Sequence, residues 1–259
     1  MRRINVSRLM VAAMLLGGLF LFSGCGVFSS PQNTFAPAGS VARDQKFIFL
    51  LAMWPALVIL LGVWGALMYI LLRYRRKKGD SGLPAQVHGN NKLEIAWTVA
   101  PIILLAFYIV PVISGIVDLG TTPKDSLEVD VTGMQWAWQF AYPDPKGGQP
   151  IQAPIGELHI PVGKPIALKL RSTDVIHSFW VPKLAGKTAA IPGRLNYMWF
   201  KATETGTFEG QCAELCGIGH ANMRMFVVAQ TPEDFSTWLQ GQAAAQKSAG
   251  QPELAFQGD

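Results

Sequence analysis

The 26 residues Phe47–Leu72 contain no charged side chain. As a helix such a run is about 39 Å long, more than the roughly 30 Å of hydrocarbon in a bilayer. It stops at Arg73-Tyr74-Arg75-Arg76-Lys77-Lys78, a cluster that stays on the cytoplasmic side of a membrane. A second run, Leu93–Val117, holds one charge, Glu94, beside its first residue. The two runs predict a transmembrane hairpin over residues 46–118, with spans at about 47–72 and 93–117 and a cytoplasmic loop at 73–92. The remainder of the chain then lies outside.

The ends of the chain read differently. Arg2, Arg3 and Arg8 precede the uncharged stretch Leu9–Phe22, which is short for a span, and Phe22-Ser23-Gly24-Cys25 follows. Residues 1–24 are expected to be a lipoprotein-type signal peptide, with Cys25 lipidated as the mature N-terminus. Residues 25–45, rich in Ser, Pro, Gly and Ala, are expected to be an extended tether. At the other end, residues 242–259 are expected to be a disordered tail.

A net charge of +5 would suit a nucleic-acid binder, but its distribution excludes that. Residues 1–117 hold eleven Lys/Arg against three acids, so the basic excess belongs to the membrane half and sets topology. Residues 118–259 hold eleven against fourteen and are mildly acidic.

From Leu127 the apolar pattern changes to short alternating runs. Leu127–Gly133, Gln135–Tyr142, Glu157–Ile160, Pro165–Ser172, Asn196–Ala202 and Met223–Ala229 each read as strands, separated by Pro and Gly clusters. They predict a Greek-key sandwich or barrel over residues 124–241. Thr231-Pro232-Glu233-Asp234 combines an N-cap, a first-turn Pro and two acids, so a short helix is expected over Pro232–Gln240.

The chemistry concentrates in Cys212-Ala213-Glu214-Leu215-Cys216-Gly217-Ile218-Gly219-His220-Ala221-Asn222-Met223. Thiolate and imidazole ligands select soft transition metals, and a thioether adds a weak ligand of the copper kind. His177, on an earlier loop, supplies a second imidazole. A mononuclear blue-copper site needs one Cys, and here there are two. Two thiolates four residues apart can instead bridge two coppers, each terminated by one imidazole. Met223 would then serve one copper and a backbone carbonyl the other. A zinc site or a Cys212–Cys216 disulfide would be plainer, but neither accounts for both Met223 and His177.

Two other residues carry an ordinary reading. Glu94 at a helix end can reach interfacial water, although ionisable groups in spans are candidates for proton pathways. His159 alternates with apolar residues in a strand and reads as structural. His88, in the cytoplasmic loop, carries no signal.

Over roughly residues 45–240 the chain resembles subunit II of the haem-copper cytochrome c oxidases. The stretch Cys212–Met223 carries the resemblance most specifically, as it matches that family's dinuclear copper (CuA) motif. His177-Ser178-Phe179-Trp180-Val181-Pro182, Ile191-Pro192-Gly193-Arg194-Leu195-Asn196, Gly133-Met134-Gln135-Trp136-Ala137-Trp138 and Glu94-Ile95-Ala96-Trp97-Thr98-Val99-Ala100-Pro101 support it. The resemblance implies a cupredoxin-like domain in which Cys212 and Cys216 bridge the coppers and His177 and His220 are terminal. Met223 and the Glu214 carbonyl complete the coordination. It also implies that the Glu214 side chain reaches a Mg or Mn ion shared with subunit I. Trp136 would receive electrons from cytochrome c, and Glu94 would stand at the mouth of a proton pathway, against the reading from spacing alone. Trp138 would pack in the core.

The implied whole is a bacterial cell-membrane aa3/caa3-type cytochrome c oxidase with subunits I and III as partners. Electrons pass through this chain to haem in subunit I, where oxygen is reduced to water and protons are pumped. This chain would therefore perform electron transfer rather than oxygen chemistry. Relatives commonly carry acids where this chain has Ala141 and Ala189, while Asp174 is kept. Fewer acids weaken steering of a basic donor, which suggests a less basic or membrane-tethered cytochrome c. The competing expectations are the electron-accepting subunit of a CuA-type nitric oxide reductase, a quinol oxidase subunit II, and a periplasmic copper carrier or assembly factor. Quinol oxidase subunits lack the copper ligands, and a carrier needs no two-span anchor.

Overall fold

The computed structural model describes Gly18, residues 30–76, Gly79, Gly82, Gln86 and residues 89–249. The expected signal peptide, apart from Gly18, lies outside the described residues, as do Cys25 and His88. Two long helices are followed by a β domain and a C-terminal helix.

Helix α1 spans Ser40–Arg73 and begins inside the stretch expected to be an extended tether. The reason is contact with the β domain. Ala38, Val41 and Ala42 are buried. The N–H groups of Ala38 and Gly39 donate to the Lys183 carbonyl at 2.9 and 3.1 Å, and that of Ser40 to the Lys201 carbonyl at 3.0 Å. Gly39 allows this approach, because a Cβ there would lie 2.6 Å from the Leu184 carbonyl oxygen. Three charges (Arg43, Asp44 and Lys46) interrupt the apolar run, so membrane hydropathy misses these first turns.

Helix α2 spans Asn91–Gly120. Asn90 caps it, its side chain accepting from the N–H groups of Lys92 and Leu93 at 3.1 and 3.3 Å, while Glu94 Oε1 accepts from the Asn90 N–H at 3.3 Å. Both helices are long and apolar enough to cross a membrane. No residue of α2 is buried, so its Ile, Leu, Val and aromatic side chains need lipid or other helices around them. The Trp199 indole donates to the Asp118 carbonyl at 3.3 Å and ties the end of α2 to the domain.

The domain is a sandwich of two five-stranded sheets. The first contains β1 (Leu127–Met134), β2 (Ala137–Tyr142), β3 (Ile151–Gln152), β5 (Ile166–Ser172) and β8 (Asn196–Phe200), in the order β3-β2-β1-β5-β8. The second contains β4 (Glu157–Pro161), β6 (His177–Trp180), β7 (Thr188–Ala190), β9 (Gly206–Cys212) and β10 (Arg224–Gln230), in the order β4-β10-β9-β6-β7. The β1–β5 and β4–β10 pairs are parallel and the rest antiparallel, which gives the mixed sheets of a cupredoxin-like Greek key. Trp138, Phe140, Leu158, Leu168, Phe179 and Phe200 are fully buried between the sheets.

Strands β6 and β9 lie where the sequence suggested loops. Two glycines, Gly206 and Gly210, hide the alternation of β9, although Phe208, Gly210 and Cys212 do face inward. In β6 three consecutive residues, His177, Ser178 and Phe179, are buried and mask a period of two.

Helix α3 spans Pro232–Ser248 and is capped by Thr231, which accepts from the Asp234 N–H at 3.2 Å. It continues past the expected Gln240 into the stretch expected to be disordered. Gln246 accounts for this, accepting from the Gln152 N–H at 3.0 Å and donating to the Pro150 carbonyl at 3.1 Å. Trp238 stacks on His159 at 4.0 Å and meets Tyr142 edge-on at 5.5 Å. His159 is buried and sits 3.0 Å from Gln230 Oε1, a structural residue as expected. Replacing Trp238 by Ala should cost about 2 kcal/mol through lost aromatic contact and burial. Denaturant midpoints and faster tryptic cleavage at Lys247 check it; unchanged resistance would contradict the role given to Trp238.

Candidate metal centre

Three elements bring the candidate ligands together. His177 is the first residue of β6, Cys212 is the last of β9, and His220 opens a short 3-10 turn, His220–Asn222, that leads through Met223 into β10. The β6–β9 register pairs Phe179 with Cys212, which carries the His177 arm over the cysteine loop. The Cys212 N–H then donates to the Met223 carbonyl at 2.9 Å, and that of Ala213 to the Ser178 carbonyl at 2.9 Å.

The donor atoms face one another in an enclosed space. Cys212 Sγ lies 3.8 Å from Cys216 Sγ and 3.9 Å from His177 Nδ1. Cys216 Sγ lies 3.5 Å from His220 Nδ1 and 3.8 Å from Met223 Sδ, and the Glu214 carbonyl oxygen is 3.3 Å from Cys212 Sγ. His177, Cys212, Cys216 and Met223 are all buried. His177, Cys212 and Cys216 form a group whose ligand atoms lie within 4.8 Å of one another. Both cysteines are free. A sulfur separation of 3.8 Å is far beyond the roughly 2.05 Å of a disulfide. It is short enough for one ion to touch both sulfurs at about 2.3 Å each. Each thiol also has an imidazole near it, His177 beside Cys212 and His220 beside Cys216, which suits two ions better than one. The residues present therefore fit a copper pair.

Burial first, then the neighbouring Cys212 thiol, pushes the Cys216 thiol up to about 11. Cys216 must therefore release its proton when the pocket binds an ion. Asp174 has the opposite tendency. Burial works against its ionisation, but hydrogen bonds from His177 and from the Val175 and Gln135 N–H groups outweigh it and hold the carboxyl below its usual range.

His177 is held on several sides. Its Nε2 lies 2.8 Å from Asp174 Oδ1, which turns Nδ1 toward Cys212. Trp138 meets the ring edge-on at 5.9 Å. Gly133 lies against its face, and a Cβ there would sit 3.0 Å from Cδ2. Sequence reading gave Trp138, Asp174 and Gly133 no such contact, although Gly133 and Trp138 stand in a stretch that carries the resemblance.

Trp136 sits on the cysteine loop with 42% of its surface exposed. Its indole N–H donates to the Cys216 carbonyl at 3.1 Å. Gly217 has φ +115°, and a Cβ at Gly219 would fall 2.4 Å from the indole, so both glycines make room for the ring. Glu214 and Leu215 are exposed, and Ile218 is 99% exposed. An open groove of about 840 Å³, lined by Phe35, Phe49, Trp180, Pro182 and Lys187 among others, runs between α1 and the domain as far as Cys212 and His220. Glu94 lies apart from all of this, at the opposite end of α2 and roughly 40 Å along it.

The relatives of this chain belong to one oxidase-subunit group. Residues 29–114 match the family described as cytochrome c oxidase subunit II, transmembrane domain, and residues 153–230 match its periplasmic domain. Cytochrome c oxidase subunit 2 of Alkalihalophilus pseudofirmus is 41% identical over 80% of this chain, which spans 61% of that protein's length. The same-named protein of Thermostichus vulcanus is 37% identical, with 78% of this chain and 76% of the relative covered. Quinol oxidase subunit 2 of Bacillus spizizenii is 35% identical, with 87% and 70% covered. With membrane hairpin, external sandwich and paired thiols in one order, the chain belongs to the cytochrome c oxidase subunit II family.

Proposed function

We propose that this chain is the electron-accepting subunit of an aa3/caa3-type cytochrome c oxidase, taking electrons from cytochrome c and passing them toward haem in subunit I. The observation that carries this reading is the pair of buried thiols 3.8 Å apart, each with its own imidazole. Two coppers bound there would share one electron across both sulfurs, so their bonds change little on reduction and electron transfer needs little reorganisation.

The residues divide the work. Cys212 and Cys216 would hold the copper pair together with His177 and His220, and Met223 and the Glu214 carbonyl would be its weaker ligands. Asp174 fixes the tautomer and direction of His177. Trp136 presents its ring to a docking donor while its N–H contacts the backbone of a ligand, one hydrogen bond from the site. The exposed Glu214 carboxylate would take a Mg or Mn ion at the boundary with subunit I. The groove beside α1 would be covered by a partner subunit. Glu94 would deliver protons from the cytoplasmic side, and Cys25 would add a lipid anchor to a domain on the periplasmic face. Subunit I would reduce oxygen to water and pump protons, with subunit III beside it.

Similarity to a quinol oxidase subunit raises a second reading. The complete ligand set weighs against it, since oxidising quinol in the membrane requires no external copper pair. The donor would be a less basic or membrane-tethered cytochrome c, since Ala141 and Ala189 leave fewer acids to steer a strongly basic one.

In the purified oxidase, Trp136→Gln keeps an N–H donor but removes the ring. It should slow electron uptake from reduced cytochrome c by about tenfold or more in stopped flow, leaving the copper spectrum in place. An unchanged rate would remove Trp136 from the route. Gly133→Ala should press a methyl group against His177 and weaken copper binding by about 10–100-fold in a chelator competition, whereas wild-type affinity would contradict the wedge described for that glycine.

A further inference from the structure

Gln135 makes two contacts that the roles above do not use. Its backbone N–H donates to Asp174 Oδ2 at 2.6 Å, and the other oxygen of that carboxylate lies 2.8 Å from His177 Nε2. Its side-chain amide donates to the Cys216 carbonyl at 2.8 Å, beside the indole of Trp136. These contacts span 39 and 81 residues of sequence, so one residue in the turn between β1 and β2 reaches both halves of the ligand cage. Gly217, whose φ is +115°, leaves the space for this amide, because a Cβ there would lie 3.0 Å from Gln135 Nε2.

We propose that Gln135 is a positioning residue for the copper pair, a brace that holds the Cys216–His220 arm in register with the His177 arm. This rests on the copper reading above. The two contacts are separable by chemistry. The backbone donor to Asp174 survives any side-chain replacement, so the His177 arm stays fixed. Of the two Gln135 donors only the side-chain amide holds the Cys216 carbonyl, which it shares with the Trp136 indole, and a change there loosens only the second arm. What the site needs at this position is an N–H donor. Glu has the shape of Gln but offers only acceptor oxygens when ionised, and it would repel the carbonyl. Lys keeps a donor of similar reach. The residue is exposed and touches no ligand atom, so the effect is one of geometry and its size lies at the lower end for partners of metal ligands.

The test uses the full-length chain in detergent, stripped of copper and titrated against a competing chelator. Gln135→Glu and Gln135→Leu should bind copper about tenfold more weakly, and Gln135→Lys should stay within about twofold of the unaltered chain. In the copper-free protein, amide hydrogen exchange at residues 217–220 should speed up in the Glu and Leu variants. Exchange at residues 177–180 should not. Wild-type affinity and exchange in both the Glu and Leu variants would overturn the brace while leaving the copper reading intact. If the unaltered chain takes up no copper pair, that reading and the brace built on it fall together.

Discussion

The antiparallel pairing of β6 with β9 is the constraint on which the site depends. His177 and Cys212 are 35 residues apart, and only the Phe179–Cys212 register brings their donor atoms to 3.9 Å. A slip of one residue would turn Cys212 out of the sandwich and His177 away from it, because side chains alternate faces along a strand. The register is protected from both sides. Phe179 is fully buried beneath Trp138 and Phe140, and Gly210 allows close packing where a Cβ would meet Val181 at 2.8 Å and the Trp180 carbonyl at 2.9 Å. The hydrophobic core of the domain is thus also the device that assembles the ligands.

Burial then gives the cage its chemistry. With Cys212 at 4% exposure and His177 at zero, these donors are shielded from water, and the Cys216 thiol resists ionisation until a cation replaces its proton. The surface above is different. Trp136, Leu215 and Ile218 reach solvent around the ligand loop. A buried cage beneath an exposed aromatic suits the proposed passage of electrons from a docked donor. The clamp of α1 on the Lys183 and Lys201 carbonyls keeps that cage in a fixed position above the membrane hairpin.

The parts that were legible in the sequence were those encoded locally. The spans follow from uncharged runs, and the four candidate side-chain ligands of the Cys212–Met223 stretch follow from spacing within one loop. Thr231 and Pro232 announced the start of α3, but Gln246, which extends it, acts on a strand edge 94 residues away. Asp174, Gly133 and Gln135 contact the candidate ligand residues, the last two from distant parts of the sequence, through a register that no local pattern states. The start of α1 was hidden for the same reason, since its polar first turns are stabilised by carbonyls of the β domain rather than by lipid. Glu94 was read from resemblance alone. Its side chain closes a cap on Asn90, which any helix-terminal acid could do.

The central claim is that two coppers share one electron between Cys212 and Cys216. Electron paramagnetic resonance of the copper-loaded full-length chain tests it most directly. The account predicts hyperfine splitting from two equivalent copper nuclei, reduced to that of a single nucleus or lost in Cys216→Ser. A spectrum of one isolated copper in the unaltered chain, or a spectroscopically silent zinc form, would contradict it.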